Sequence, residues 1–463
     1  MKTIILEINE VPEKVLHQFI VENKSSNLSK YFVANKIYKK SIINDDVCEK
    51  DLYPSQVWAT VHTGKPYDEH GCYWYSDPLK DETILEKVIK SGKSVAAIGV
   101  LHSSKIQKEA LDRPSIKLFI PDAFGDINKV YPRTYTEFVK LNNEITSASG
   151  RRVRLQKLVF QSLKFAINTI KKPISNGITI KSLYLTMKTI AKIIKYSEVE
   201  LIRTLQYVYQ SAILVNTIRE ERPDVSILFS NHIAANMHRY WAATWPEEFD
   251  KPMYTKKWLS KKSRIIDYSL WLLDDLIGDI FSMSKKDTII ILCTGMGQKA
   301  NKTANINRMY DGKIQKMELF MSRIREYIEL REGREIPLKQ KNNMEPQYGI
   351  SCRTCEEAEI AAQLIREFCA EERIKHKIDI NKCELVITID FYKEEYTIKQ
   401  MRKLYGNLGF EFFNVTDHHT GKHSKKGILW TIDPERILSD TNHKKEEIKS
   451  TEVRKILEDI ILT

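Results

Sequence analysis

Short apolar runs rich in β-branched residues alternate along the chain with longer segments of helical periodicity. The runs predict strands, and the clearest cover residues 3–8, 94–100, 225–229, 287–293, 385–390, 411–415 and 427–432. Helical periodicity is clearest in residues 81–91, 258–283, 319–330 and 355–374. Because alternating strands and helices are typical of a mostly parallel sheet covered on both faces, the pattern predicts an α/β protein with a three-layer α/β/α sandwich.

Residues 140–222 interrupt this alternation with a helical and strongly basic segment. Between Arg151 and Tyr196 the chain has eleven Lys or Arg residues and no Asp or Glu. We therefore interpret residues 140–222 as a basic helical cap inserted between two parts of the core, residues 1–139 and 223–463.

One predicted helix of this cap has lysines on one side and aliphatic residues on another. The two sets, each at helical spacing, are Lys181, Lys188, Lys192 and Lys195, and Leu183, Met187, Ile190 and Ile194. This spacing predicts a buried apolar stripe and an exposed cationic stripe. The expected partner of such a stripe is negatively charged: an anionic polymer, a phosphorylated lipid, or an anionic membrane surface contacted by residues 151–197. The alternative is a solvated face whose lysines only maintain solubility.

The overall composition excludes several classes of protein. The 463 residues have a net charge of +12 and 42% hydrophobic residues, which is typical of a globular protein. No apolar run is long enough to span a membrane, and the first apolar run meets Glu7 too early for a signal peptide. We therefore expect a cytoplasmic protein, peripheral at the membrane if the cap binds lipid. Nucleic acid is not an expected partner, because no known binding signature accompanies the charge.

The seven cysteines are scattered along the chain, and their odd number disfavours a disulfide framework. Cys352 and Cys355 form a C-x-x-C motif, but no second pair follows at the spacing of a zinc ribbon. The sequence therefore predicts reduced thiols.

Polar side chains follow several predicted strands at the point where each strand ends. Ligands of open α/β sheets bind beyond the carboxyl ends of the strands, so these side chains are candidates for a site. Five of the eleven histidines fall in two such loops. The candidates are Glu7, Asn9 and Glu10, then Asn231, His232 and His238, then Thr294 and Gln298, and finally His418, His419 and His423.

Residues 52–71 form the most specific motif of the chain. Their sequence, LYPSQVWATVHTGKPYDEHG, resembles the nucleophile-helix region of the alkaline phosphatase superfamily, in the branch of type I phosphodiesterases and nucleotide pyrophosphatases. The resemblance implies an alkaline-phosphatase-like fold and chemistry at a phosphate or sulfate group. It also places Glu7 near a metal-binding Asp of the family, His238 in an Asp-x-x-x-His metal pair, and His423 at the last metal histidine.

Three departures from the family pattern limit the expected metal content. Lys50 stands where active members have a Thr or Ser nucleophile, Ala234 stands where the pair has its Asp, and residues 293–297 lack the expected carboxylate and imidazole. Because a two-metal site needs about three protein ligands for each ion, we expect at most one divalent ion, which would be zinc, manganese or iron.

The ligand set of such an ion is open from the sequence. His238 and His423 would be joined by His232, His419 or Glu7. The alternative is that these histidines bind no ion and hydrogen-bond substrate oxygens or one another.

The sequence therefore supports a hydrolase or group transferase of altered mechanism, acting on a phosphate or sulfate ester or on an anionic glycan. In that hypothesis Glu7 or Glu10 is the general base and His238 and His423 stabilise the developing anion. The residues expected to orient the substrate are Asn9, Gln56, Thr294 and Gln298.

Two alternatives come from the basic residues. A catalytically inactive member would bind a phosphorylated or acidic glycan, with Lys50 neutralising the anion. A membrane-surface assembly protein would use the basic cap.

Overall fold

A computed structural model describes most of the chain. The residues described are 1–48, 52–75, 77, 79–106, 111–147, 179–196, 201–250, 254–283, 287–303, 310–341, 347–389, 396–414, 419–438 and 446–462. Lys50 and residues 148–178 and 197–200 of the predicted cap lie outside them. Within the described residues, no helix is both long and apolar enough to cross a membrane.

The described chain divides into two compact units. The first unit contains residues 1–145, 153–302 and 419–463, and the second contains residues 146–152 and 303–418. The described residues 179–196 and 201–222 of the predicted cap group with the first unit, and the second unit is built around residues 303–418.

An eight-stranded sheet forms the centre of the first unit. Its strands are β1 (Lys2–Ile8), β2 (Ile37–Ile43), β3 (Val95–Ile98), β4 (Ile116–Ile120), β5 (Val225–Ser230), β6 (Thr288–Cys293), β15 (Lys426–Ile432) and β16 (Glu447–Lys449). They lie in the order β16-β2-β15-β6-β1-β5-β3-β4. Only β15 runs antiparallel to its neighbours, β2 and β6. The predicted mostly parallel sheet is therefore confirmed.

Helices cover both faces of this sheet. The helices that begin in the first unit are Glu13–Glu22, Asn27–Val33, Pro54–Thr63, Tyr67–His70, Ile84–Lys90, Thr136–Ser147, Ile180–Tyr196, Ile202–Glu221, His232–Thr244, Lys256–Lys262, Ile265–Met283 and Val453–Leu462.

The alternation of side chains along β1 explains why an apolar core lies on each face of the sheet. Ile4, Leu6 and Ile8 point into one apolar core, shared with the helices that begin at residues 202, 232 and 265. Ile5 points into the other, shared with the helices that begin at residues 54, 84 and 453. Successive strand residues face opposite sides of a sheet, and both sides are covered here, so the predicted three-layer α/β/α sandwich is confirmed.

The second unit has its own sheet and apolar core. Strands β9 (Lys339–Lys341), β10 (Gln347–Ser351), β11 (His376–Asn381) and β12 (Glu384–Ile389) form an antiparallel sheet in the order β11-β12-β10-β9. Strands β8 (Tyr310–Ile314) and β13 (Phe410–Asn414) pair with each other. The helices are Met317–Glu332, Cys355–Glu371 and Ile398–Tyr405. Two predicted strands, residues 385–390 and 411–415, thus belong to this unit and not to the main sheet.

Candidate functional site

The candidate site begins where β1 ends, at Glu10. This residue has a left-handed backbone with φ of 63°, and its amide N–H donates to the Thr294 carbonyl at 3.2 Å. The preceding residue, Asn9, continues the parallel pairing by donating its amide N–H to the Ser230 carbonyl at 3.0 Å. The turn at Glu10 therefore places a carboxylate beyond the carboxyl ends of β1, β5 and β6.

Four nitrogen groups surround this buried carboxylate, whose side chain is only 3% exposed. Oε2 lies 2.8 Å from Nε2 of His238 and 3.2 Å from Nε2 of His423. The same oxygen accepts a hydrogen bond of 2.6 Å from Nε2 of Gln298. Oε1 accepts one of 2.6 Å from Nδ2 of Asn9. Two amides thus hold the carboxylate in one orientation, and two imidazoles approach one of its oxygens.

Backbone carbonyls fix the orientation of both imidazole rings. Nδ1 of His238 lies 2.9 Å from the Gly421 carbonyl oxygen, and Nδ1 of His423 lies 2.7 Å from the Leu52 carbonyl oxygen. A carbonyl oxygen can only accept a hydrogen bond, so each Nδ1 carries the hydrogen. The hydrogen bond at Nδ1 orients each ring so that its Nε2 faces Glu10. Histidine ligands of metal sites are oriented in the same way by a hydrogen bond at the second ring nitrogen.

A short antiparallel ribbon brings the second histidine to the site. Strands β7 (Gly297–Ala300) and β14 (Gly421–Ser424) pair so that His423 lies opposite Gln298. Gly421 allows this ribbon to approach the helix His232–Thr244, because a Cβ there would lie 2.6 Å from the Met237 carbonyl oxygen. The same close approach brings the Gly421 carbonyl to His238.

The charges of the cluster favour an ionised carboxylate. Burial alone would raise the pKa of Glu10, but the charges and hydrogen bonds of His423 and His238 outweigh it and hold the pKa well below its ordinary value. Burial alone would lower the pKa of His423, but the carboxylate of Glu10 and the hydrogen bond to Leu52 outweigh it and raise the pKa. The cluster therefore presents an anionic oxygen between imidazoles.

This donor set fits a single divalent cation. One ligand atom each from Glu10, His238 and His423 lie within 4.8 Å of one another. Two imidazole nitrogens and one carboxylate oxygen, with further positions open, are the ligands of many catalytic zinc and non-haem iron sites. The histidine side chains are 21% and 24% exposed, so a ligand reaches the cluster from their side.

Two residues predicted as metal ligands have other partners. Glu7 lies on the opposite face of β1, where its Oε1 is 2.8 Å from Nε2 of His62. The His232 ring uses both nitrogens, with Nδ1 2.8 Å from the Ser230 hydroxyl and Nε2 3.2 Å from the Ser269 carbonyl. It also stacks on Tyr207 at a centroid distance of 3.7 Å. The acid beside the two histidines is therefore Glu10 and not Glu7, and His232 is a core residue.

The remaining predicted site residues are His419, Thr294, Gln56 and Lys50. The exposed His419 ring has its centroid 5.5 Å from that of His238. The Thr294 hydroxyl accepts a hydrogen bond from the Ile428 amide at 2.9 Å and so secures the loop after β6. Gln56 is buried in the helix Pro54–Thr63, and its Oε1 has no hydrogen-bond partner among the described residues. Lys50 lies outside the described residues.

Among the groups that support the cluster, sequence reasoning missed Trp58 and the carbonyls of Leu52 and Gly421. The Trp58 indole N–H donates to Oδ1 of Asn9 at 2.9 Å, and Nδ2 of Asn9 donates to Oδ1 of Asn231 at 3.0 Å. These contacts orient Asn9, which in turn orients Glu10. Asn231 was signalled by its place after β5, whereas the carbonyls of Leu52 and Gly421 have no side-chain signal in a sequence.

Comparisons with known proteins give structural similarities only. No family model and no curated protein sequence matches the chain. The chain is similar to murine ectonucleotide pyrophosphatase/phosphodiesterase 5 (10% identity, 100% of this chain and 95% of the other, TM-score 0.39). It is also similar to phosphonoacetate hydrolase from Sinorhizobium meliloti 1021 in complex with phosphonoformate (11% identity, 98% and 94%, TM-score 0.37). A third similar structure is wild-type alkaline phosphatase PafA (10% identity, 99% and 95%, TM-score 0.42).

Proposed function

We propose that this protein is an enzyme of alkaline-phosphatase-like fold that hydrolyses or transfers a phosphate or sulfate group, carried by a simple ester or by an anionic glycan. One divalent cation, which would be zinc, manganese or iron, would be held by Glu10, His238 and His423. The observation that carries the proposal is the pair of Nδ1 hydrogen bonds to Gly421 and Leu52, which direct both Nε2 atoms at the Glu10 carboxylate.

The protein groups have separate roles in this proposal. Glu10, His238 and His423 are ligands, while Asn9 and Gln298 are positioning residues that hold the carboxylate. The cation, when bound, would act as a Lewis acid toward an anionic oxygen of the substrate. Leu52, which holds His423, directly precedes the Tyr53 cap of the helix Pro54–Thr63. The positive end of a helix dipole favours an anion, so this end of the helix is suited to the anionic group of the substrate.

Neither acid is suited to the predicted role of general base. The pKa of Glu10 is held well below its ordinary value by His423 and His238 despite burial, so Glu10 is a weak proton acceptor. Glu7 is only 2% exposed and contacts His62, so substrate does not reach it. The proposed mechanism therefore relies on charge stabilisation at the cluster and not on a carboxylate base.

A panel of chromogenic esters tests the proposal. The full chain, supplied separately with zinc, manganese and iron, would be assayed with p-nitrophenyl phosphate, bis(p-nitrophenyl) phosphate and p-nitrophenyl sulfate. We expect one ester to be turned over, and Glu10→Gln to lower kcat/KM at least about 100-fold, since that variant loses the anionic ligand. His17→Ala, which removes an exposed imidazole from the middle of the helix Glu13–Glu22, is the control and should retain full activity.

Two outcomes would contradict the proposal. Equal turnover by Glu10→Gln and by the original protein would remove the cluster from the reaction. Saturable binding of inorganic phosphate by the metal-loaded protein, without turnover of any ester, would instead favour the binding protein that the sequence also suggests.

A further inference from the structure

The helix Ile180–Tyr196, called the basic helix below, packs in the reverse of the predicted way. Its buried residues are Ser182, Thr189 and Tyr196, and the Thr189 hydroxyl lies 2.7 Å from the Tyr268 hydroxyl. The aliphatic stripe that the sequence pattern predicts to be buried is exposed. The helix therefore turns its hydroxyl-bearing side toward the protein and its aliphatic side away from it.

The exposed apolar side chains form a continuous face. Ile180 is 88% exposed, Met187 71% and Ile194 72%, and the remaining members of the face are Leu183, Tyr184 and Ile190. At about 100° per residue, these six side chains fall within an arc of about 120°, opposite the buried side. A contiguous apolar face left exposed to water marks an interaction site, so we expect this face to contact an apolar environment.

Lysines line one edge of the apolar face. The basic helix has four lysines and no acidic residue. Lys181 is committed to the protein through ion pairs with Asp275 and Asp279, at 3.3 and 2.7 Å. Lys188 and Lys195 are exposed, and Lys192 lies over the Tyr268 ring at 4.3 Å. The cations therefore lie between the apolar face and the protein, where they meet the head groups of a surface on which the face rests.

From this arrangement we propose that the basic helix binds the surface of an anionic lipid bilayer, with its aliphatic face at the level of the acyl chains and Lys188 and Lys195 at the head groups. A second copy of the chain is a poorer occupant, because two faces that each have lysines and no acid repel one another. The helix is about 25 Å long from its 17 residues, and it would lie along the bilayer surface. This inference is independent of the proposed enzymatic function.

Vesicle sedimentation with the full chain tests the proposal. We expect binding to vesicles of equal parts phosphatidylcholine and phosphatidylglycerol, and little binding to phosphatidylcholine alone. Met187→Glu/Ile194→Glu, which charges the apolar face, and Lys188→Glu/Lys195→Glu, which reverses the cationic edge, should each weaken binding at least about tenfold. The matched control for Met187→Glu/Ile194→Glu is Val21→Glu/Val33→Glu, which adds the same charge at exposed valines elsewhere in the first unit. This control should lose less than half as much binding as Met187→Glu/Ile194→Glu.

Folding and self-association are checked with the same proteins. All substituted side chains are exposed, so their urea midpoints should match that of the original protein. Equal binding to neutral and anionic vesicles, or equal binding by Met187→Glu/Ile194→Glu and the original protein, would overturn the proposal. A lipid-free dimer in sedimentation velocity that Met187→Glu/Ile194→Glu dissociates would also overturn it, and would assign the face to a second copy.

Discussion

Removing one partner of the buried Glu7–His62 pair should cost far more stability than removing both. The two side chains are 2% and 1% exposed and meet at 2.8 Å. Among the described residues, Oε2 of Glu7 and Nδ1 of His62 have no hydrogen-bond partner, so each residue depends on the other. Leaving one half of a buried pair unmatched costs about 3–5 kcal/mol, whereas replacing both halves with apolar side chains is often nearly neutral. We therefore expect His62→Leu to be strongly destabilising and Glu7→Leu/His62→Leu to be much less so.

Urea unfolding followed by tryptophan fluorescence measures this difference. All seven tryptophans lie in the first unit, so the signal reports the unit that contains the pair. The double-mutant cycle of Glu7→Leu and His62→Leu should give a coupling free energy of at least about 2 kcal/mol. Losses that simply add would refute the pairing. If Glu7→Gln abolished metal binding without changing the urea midpoint, Glu7 would be a metal ligand and the assignment of Glu10 would be wrong.

Three further predictions concern pH, support of the metal site and the thiols. Burial lowers the pKa of His232 to about 3 and that of His102 to about 4, so stability is greatest above the unfolded pKa of about 6.5 and falls as the pH drops toward the folded values. Each residue should cost about 2 kcal/mol of unfolding free energy between pH 7 and pH 5; a urea midpoint in His232→Gln with the same pH dependence as the original protein would contradict this. Gln298→Leu, which removes a donor to Glu10, should weaken metal affinity about 10- to 100-fold in competition with a chelating dye, and unchanged affinity would contradict its positioning role. The Sγ atoms of Cys355 and Cys383 lie 2.9 Å apart, so oxidised glutathione should join them; mass spectrometry of peptides should find this link in the original protein and not in Cys383→Ser, and a link from Cys355 to another cysteine would count against it.

The position of the site could be predicted from the sequence because it depends on the carboxyl ends of strands. Asn9 and Glu10 follow β1, and Gln298 follows β6, as the rule for open α/β sheets requires. The concentration of histidines in two segments that follow predicted strands also identified His238 and His423, although the structure places them in the helix His232–Thr244 and in β14. Which acid joins them could not be predicted, because Glu7 and Glu10 are close in sequence and only the left-handed turn at Glu10 brings its carboxylate to the histidines.

Other features depend on packing between distant segments. The spacing of apolar residues identified a stripe on the basic helix, but it could not show whether that stripe is buried. The opposite side of the helix packs against the protein, where Thr189 contacts Tyr268, and the stripe is therefore exposed. The C-x-x-C motif draws attention to Cys352 and Cys355, yet the turn between β11 and β12 brings Cys383 to Cys355. The second unit was missed because its strands have the same apolar pattern as those of the main sheet.

The metal content of the full chain tests the proposed site most directly. Protein purified without chelators, supplied with zinc, manganese or iron and then desalted, would be measured by inductively coupled plasma mass spectrometry. We expect about one equivalent of one metal, its loss in His238→Ala/His423→Ala, and its retention in the matched double variant His17→Ala/His376→Ala. The absence of stoichiometric metal under all three conditions, or equal metal in both double variants, would contradict the assignment of Glu10, His238 and His423 as a metal site.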